Sequence, residues 1–163
     1  MKILLTFIIS VILLNFNLYS QDKTIKGRVI TEDLETMPEV IIMVNDTVEV
    51  GRTDINGFFQ INIPKSINTI NFWALGLEPA KIKLLTDCNQ IEVIMLLEST
   101  YDFISLKRVD KKIKKRFKKL PEIHKKAYEK GLFKAKDPCF IYQFIPYYIK
   151  KKKKGCKKKK IDE

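Results

Sequence analysis

The chain of 163 residues holds a single histidine, His124, and three cysteines, Cys88, Cys139 and Cys156. A zinc centre needs three or four His, Cys or carboxylate ligands brought together, and neither a Cys-x-x-Cys nor a His-x-x-Glu spacing occurs. His124 stands in a lysine-rich stretch and is expected at the surface. Asp54-Ile55-Asn56-Gly57 has the opening of a calcium loop, but such a loop takes a glutamate at its twelfth position. Counted from Asp54, that residue is Lys65, so the Asp and Asn are expected to shape a turn. No catalytic, cofactor-binding or metal-ligating residues are assigned, and no cofactor is expected. The cysteines suit disulfide chemistry in an oxidising compartment. Cys88 with Cys139, Cys139 with Cys156, or no bridge at all are the open alternatives, and the odd count leaves one thiol over.

Charge is the stronger signal. Leu106, Val109, Ile113, Phe117 and Leu120 recur at helical spacing, with lysines filling the gaps. This predicts an amphipathic, strongly basic helix, stopped by Pro121, with a second short helix from Glu122 to Lys130 ended by Gly131. The candidate contacts to an anionic surface are Lys111, Lys112, Lys114, Lys115, Arg116, Lys118 and Lys119, with Lys150, Lys151, Lys152, Lys153 and Lys154 beyond them. Lysine rather than arginine points to diffuse attraction, because bidentate phosphate recognition favours arginine. Anionic lipid, lipopolysaccharide or an acidic protein patch are the fitting partners, and nucleic acid is disfavoured. Two placements of the apolar stripe are open: on an exposed face of the preceding domain, or face down on a membrane. Phe140, Tyr142, Phe144, Tyr147 and Tyr148 precede Lys150. They fit either an interfacial aromatic anchor or packing at the domain edge.

The elements that must carry these groups follow from composition. The net charge of +12 is unevenly spread: residues 21–99 hold seven basic and twelve acidic residues, residues 100–163 hold 23 and seven. An acidic module is thus tied to a basic tail. Met1-Lys2 followed by the apolar run Ile3 to Leu14 is shorter than the ~20 residues of a membrane span and predicts a secretory signal peptide cut after Ser20. The domain reading is signal peptide 1–20, a β domain 21–99, basic helices and an aromatic segment 100–149, and a disordered polylysine tail 150–163. No transmembrane helix is expected after signal cleavage.

Within 21–99, strands are predicted from Thr24 to Thr31, Val40 to Val44, Thr47 to Val50, Phe59 to Ile63, Thr69 to Leu75, Lys81 to Leu84 and Ile91 to Leu97. About seven short strands at this spacing read as a sandwich. Trp73, on an apolar strand but opposite Phe72 by alternation, is expected in the core; an exposed platform for a sugar or peptide is the other reading.

Ile25-Lys26-Gly27-Arg28-Val29-Ile30, Pro38 before the run Val40 to Val44, and Thr53-Asp54-Ile55-Asn56-Gly57-Phe58-Phe59-Gln60-Ile61 together resemble the carboxypeptidase regulatory-like domain over residues 24–98. The resemblance implies a mainly β, seven-stranded Ig-like or transthyretin-like sandwich. It also implies an exported, periplasmic or outer-membrane-peripheral protein of a Gram-negative bacterium, and a non-catalytic role beside peptidases or TonB-dependent receptors. The ring-opening enzymes of the transthyretin-like group need several histidines and a Tyr-Arg-Gly-Ser-type end, which this sequence lacks. The functional expectation is a binding or scaffold module whose basic tail meets an anionic envelope surface or an acidic partner. The alternative is a structural accessory domain whose tail completes the fold.

Overall fold

A computed structural model of the chain describes residues 22–85 and 88–148. It is mainly β, with eight strands in two open sheets. The strands are β1 (Asp22–Thr31), β2 (Ile41–Val44), β3 (Val48–Arg52), β4 (Phe58–Pro64), β5 (Thr69–Trp73), β6 (Ala80–Leu84), β7 (Gln90–Met95) and β8 (Phe140–Gln143). Between β7 and β8 run two helices, α1 (Leu106–Phe117) and α2 (Leu120–Glu129). The proposed signal peptide, residues 1–20, lies outside the described residues.

One sheet has the order β4-β1-β7 and the other β3-β2-β5-β6-β8. β1 is central in the first. It runs antiparallel to β4, from Asp22 opposite Pro64 to Arg28 opposite Phe58, and parallel to β7, from Lys26 opposite Gln90 to Thr31 opposite Met95. Alternation places Phe59, Ile61 and Ile63 of β4 on one face and leaves Gln60 and Asn62 on the other, as period two requires. That face meets Ile42, Val44, Ile70, Phe72, Ile82 and Leu84 of the second sheet in one shared core. Phe59 and Phe72 touch edge to face across it, with centroids 5.7 Å apart.

The polar residues of the Thr53–Gly57 stretch are structural. The Thr53 hydroxyl donates to the Met37 carbonyl at 2.7 Å and accepts the Val40 N–H at 2.9 Å. The Asp54 carboxylate accepts the N–H groups of Asn56 and Phe58 at 2.9 and 2.8 Å. Two glycines answer to sterics. A Cβ on Gly27 would lie 1.8 Å from the Ile91 carbonyl oxygen, and Gly57 has φ +77° with its Cβ position 2.4 Å from the Val29 carbonyl oxygen.

The seven strands expected within residues 21–99 are present as β1 to β7, and an eighth joins them. The extra strand comes from the aromatic segment: β8 pairs antiparallel with β6, from Lys81 opposite Gln143 to Leu84 opposite Phe140, and takes over the edge of the five-stranded sheet. Cys139, just before β8, is bonded to Cys88, just before β7. From β8 the Tyr142 hydroxyl reaches the free edge of β7, accepting the Ile94 N–H at 2.7 Å and donating to the Ile94 carbonyl at 3.3 Å. Burial pushes the Tyr142 pKa up, so the phenol stays protonated.

The helices cover the other face of β1 and β7. Ile30, Ile94 and Leu96 pack with Val109 and Ile113 of α1, Leu120 and Ala127 of α2, and Phe133 in a second core. β7 is therefore covered on both faces, with Ile91, Val93 and Met95 toward one core and Ile94, beside buried Glu92, toward the other. Pro121 opens α2 rather than simply stopping α1; its missing N–H costs nothing in the first turn. Glu92 of β7, almost fully buried, accepts the N–H groups of Lys134 and Ala135 at 2.6 and 3.0 Å and so pins the chain after α2.

His124 is not a surface residue. It is 2 % exposed, on the buried side of α2. Its Nδ1–H donates to the Lys136 carbonyl at 3.1 Å and its ring lies 4.8 Å from that of Phe133, while Nε2 has no partner among the described residues. The spacing explains this: His124 is one turn from Leu120 and from Ala127, on the same stripe.

Two outcomes follow for stability. Opening the Cys88–Cys139 bridge by Cys139→Ser frees a 51-residue separation and should cost about 3–4 kcal/mol in urea unfolding. An unchanged midpoint would mean that the bridge constrains nothing. Burial holds the His124 pKa below its ordinary value, against the raising influence of the Lys136 carbonyl, Glu92 and Asp137. The unfolded chain thus takes up a proton near pH 6.5 that the folded chain refuses until lower pH. Stability should be full above that pH and fall as pH drops toward the lowered folded value, by at most about 1.4 kcal/mol per pH unit. His124→Asn, which keeps a donor for Lys136, should flatten this part of the melting-temperature profile.

Candidate functional site

α1 begins after Ser105, whose backbone is extended and whose side chain makes no capping bond; no acid sits in its first turn. Its last turn carries Lys114, Lys115 and Arg116, which suit the negative end of the helix dipole. From Val109 onward the inner stripe is occupied by the second core. The membrane-facing placement of that stripe is thereby corrected: Val109 and Ile113 are buried against protein and are not available to lipid.

The outer face is lysine. Lys111, Lys112, Lys114, Lys115, Lys118 and Lys119 are all exposed, as are Lys107 and Arg108 one turn earlier. None of them forms an ion pair with another described residue. The one acid within the helix, Asp110, is occupied by the N–H groups of Tyr147 and Tyr148 at 2.8 and 3.0 Å. Lys107 with Lys111, Arg108 with Lys112, Lys111 with Lys115, Lys114 with Lys118, and Lys115 with Lys119 are like charges one turn apart. Each such pair repels by a few tenths of a kcal/mol. The helix holds because its other face is packed, so the outer face is a preformed concentration of positive charge. Lys150, Lys151, Lys152, Lys153 and Lys154 lie outside the described residues.

Arg116 does not belong to that face, and its assignment as a surface contact is corrected. Its guanidinium pairs with the Glu32 carboxylate and donates to the Leu97 carbonyl at 2.7 Å, the Ser99 hydroxyl at 3.1 Å and the Tyr101 hydroxyl at 3.4 Å. Burial opposes the charge, but Glu32 and Tyr101 outweigh it and raise the Arg116 pKa. Arg116 is three residues from Ile113 and one turn from Leu120, so it falls on the inner stripe, where it fastens α1 to the loop after β1 and the segment after β7.

The aromatic segment divides. Phe140 and Tyr142 pack inward, and Phe117 meets Tyr142 and Phe144 edge to face at 5.6 and 5.8 Å. Tyr147 and Tyr148 stay about half exposed beside Asp110, with the Tyr147 hydroxyl donated to Glu78 at 2.7 Å. Lys112 and Lys114 lie over the rings of Tyr101 and Phe144, each at 5.8 Å.

Trp73 is corrected as well. It is 43 % exposed on the outer face of the five-stranded sheet, because Ile70 and Phe72 fill the inner face of β5. It borders a groove of about 300 Å³ with Met43, Asn71, Pro79, Lys81 and Ile145. Asn71 donates to Asp46, which also pairs with Lys81 at 2.7 Å. Among the described residues no three His, Cys, Asp or Glu side chains converge as a metal set, and no helix is long and apolar enough to cross a membrane.

Arg116→Ala should destabilise the fold by about 2–3 kcal/mol, because it strands the partly buried Glu32 carboxylate. Arg116→Lys should rescue little, since one ammonium cannot serve the same fork of partners. Retention of the folded variant on a polyanion should not change; a loss of retention without a loss of stability would return Arg116 to the contact surface.

Comparison with protein-family models and with curated proteins finds no match to this chain.

Proposed function

We propose that the protein is a non-catalytic binding or scaffold module of the bacterial envelope, built on a carboxypeptidase regulatory-like sandwich of the transthyretin-like type. In this reading the lysine face of α1 holds it against an anionic surface. The observation that carries the reading is the outer face itself: exposed cations repelling one another at helical spacing, with Asp110 turned to backbone amides. An anion laid on that face relieves the repulsion, and the attraction weakens with salt over a Debye length of ~8–10 Å.

The sandwich reading is supported by the single core between two sheets and by the placement of the motif residues. Gly27 and Gly57 sit where a side chain would strike backbone, and Asp54 closes the turn into β4. Export to the periplasm is supported by the apolar N-terminal run in the sequence and by the Cys88–Cys139 bond, which suits an oxidising compartment.

The structural alternative, a tail that only completes the fold, draws on the second core. That role uses the inner stripe and leaves the lysines unspent. Truncation at Ser99 cannot separate the two readings, because it would bare Ile30, Ile94 and Leu96 together with removing the charge. The double variant Lys111→Glu, Lys118→Glu separates them. It turns three repelling pairs on α1 into attracting ones, Lys107 with 111, 111 with Lys115, and Lys114 with 118. On immobilised heparin the variant should elute at markedly lower salt than the parent, with its melting temperature held or slightly raised. Equal elution of the two proteins would leave the structural role standing alone.

A further inference from the structure

The exposed apolar residues of the helical layer are not scattered. Phe103 is fully exposed and Leu106 is 54 % exposed, three residues apart at the entry to α1. Phe103 sits at φ +60° in the turn before the helix, a conformation uncommon for a bulky side chain. The turn is anchored, since Tyr101 and Ile104 on either side of Phe103 pack into the second core. Phe103 is therefore held out into solvent by its neighbours.

One turn beyond Leu106, Asp110 gathers the backbone N–H groups of Tyr147 and Tyr148. Two half-exposed tyrosines are thus fixed on the flank of α1 that also presents Leu106. Lys107, Lys111 and Lys114 are exposed on the same helix, next round its circumference from Leu106 and Asp110.

We propose that this end of the molecule docks on an anionic lipid bilayer, with Phe103 and Leu106 entering the interfacial region and the lysines of α1 on the headgroups. The inference rests on the anionic-surface reading above and narrows it to lipid. A soluble polyanion needs cations alone. A bilayer also takes up apolar side chains, seats tyrosine at headgroup depth, and draws lysine by its surface potential. Charge and apolar exposure coincide at one end of α1, and that combination matches an anionic bilayer.

The test is co-sedimentation with vesicles of pure phosphatidylcholine and of phosphatidylcholine with roughly 30 % phosphatidylglycerol, a content that gives a negative surface potential. The protein should partition onto the anionic vesicles and not the neutral ones. Phe103→Ser should lower that partition about tenfold and leave heparin elution unchanged. In a Trp73→Phe background, Phe103→Trp should show a blue-shifted emission when anionic vesicles are added. Retention on heparin without vesicle binding, or vesicle binding indifferent to Phe103→Ser, would overturn the lipid inference and spare the anionic-surface reading. Binding to neither would remove both. A concentration-dependent dimer in sedimentation velocity, lost in Phe103→Ser, would assign the patch to a second copy and overturn the inference as well.

Discussion

β7 is the strand on which the rest of the molecule depends. It is covered on both faces, and its outer edge has no neighbouring strand in its own sheet. A two-layer arrangement alone would leave Ile94 and Leu96 in water and the Ile94 amide and carbonyl unpaired. Much of the described chain after residue 100 answers that deficit. α1 and α2 cover the second face, Glu92 ties down the chain beyond α2, and the Tyr142 hydroxyl closes the edge by bonding both polar groups of Ile94. A small β domain buries too little surface to carry such losses, so cover and domain form one cooperative unit.

The same helix then serves two masters with little interference. Its inner stripe contributes Val109, Ile113 and the clasp of Arg116 on Glu32; its outer face contributes charge. Lysines this dense would oppose an isolated helix. Here the packed stripe fixes the backbone, so the repulsion persists in the folded state and is available to any anion that neutralises it. Arg116 marks the boundary: it is a cation in the same run, yet its bonds all go inward.

Much of the β architecture was legible from period-two alternation, because Phe59, Ile61 and Ile63, or Ile82 and Leu84, have a polar residue between them. β8 is obscured by the aromatic content of residues 138–149. Phe140, Tyr142 and Phe144 alternating with Ile141 and Gln143 carried a strand signal. Ile94 and Leu96 likewise gave notice of a covered second face. The lysines around His124 and Arg116 mask their placement in the sequence; each is three or four residues from a buried stripe position. The exposure of Trp73 was not legible in one strand. It follows from which sheet the helices cover, and they cover the three-stranded one.

The bond between Cys88 and Cys139 has a consequence for chemical durability. It encloses β7, α1 and α2 in one covalent ring. The outer surface of that ring is exposed and rich in lysine. A single cut there would leave both fragments tethered and the inner stripe still seated on β7. A cut within that ring would therefore nick the charged surface without shedding it.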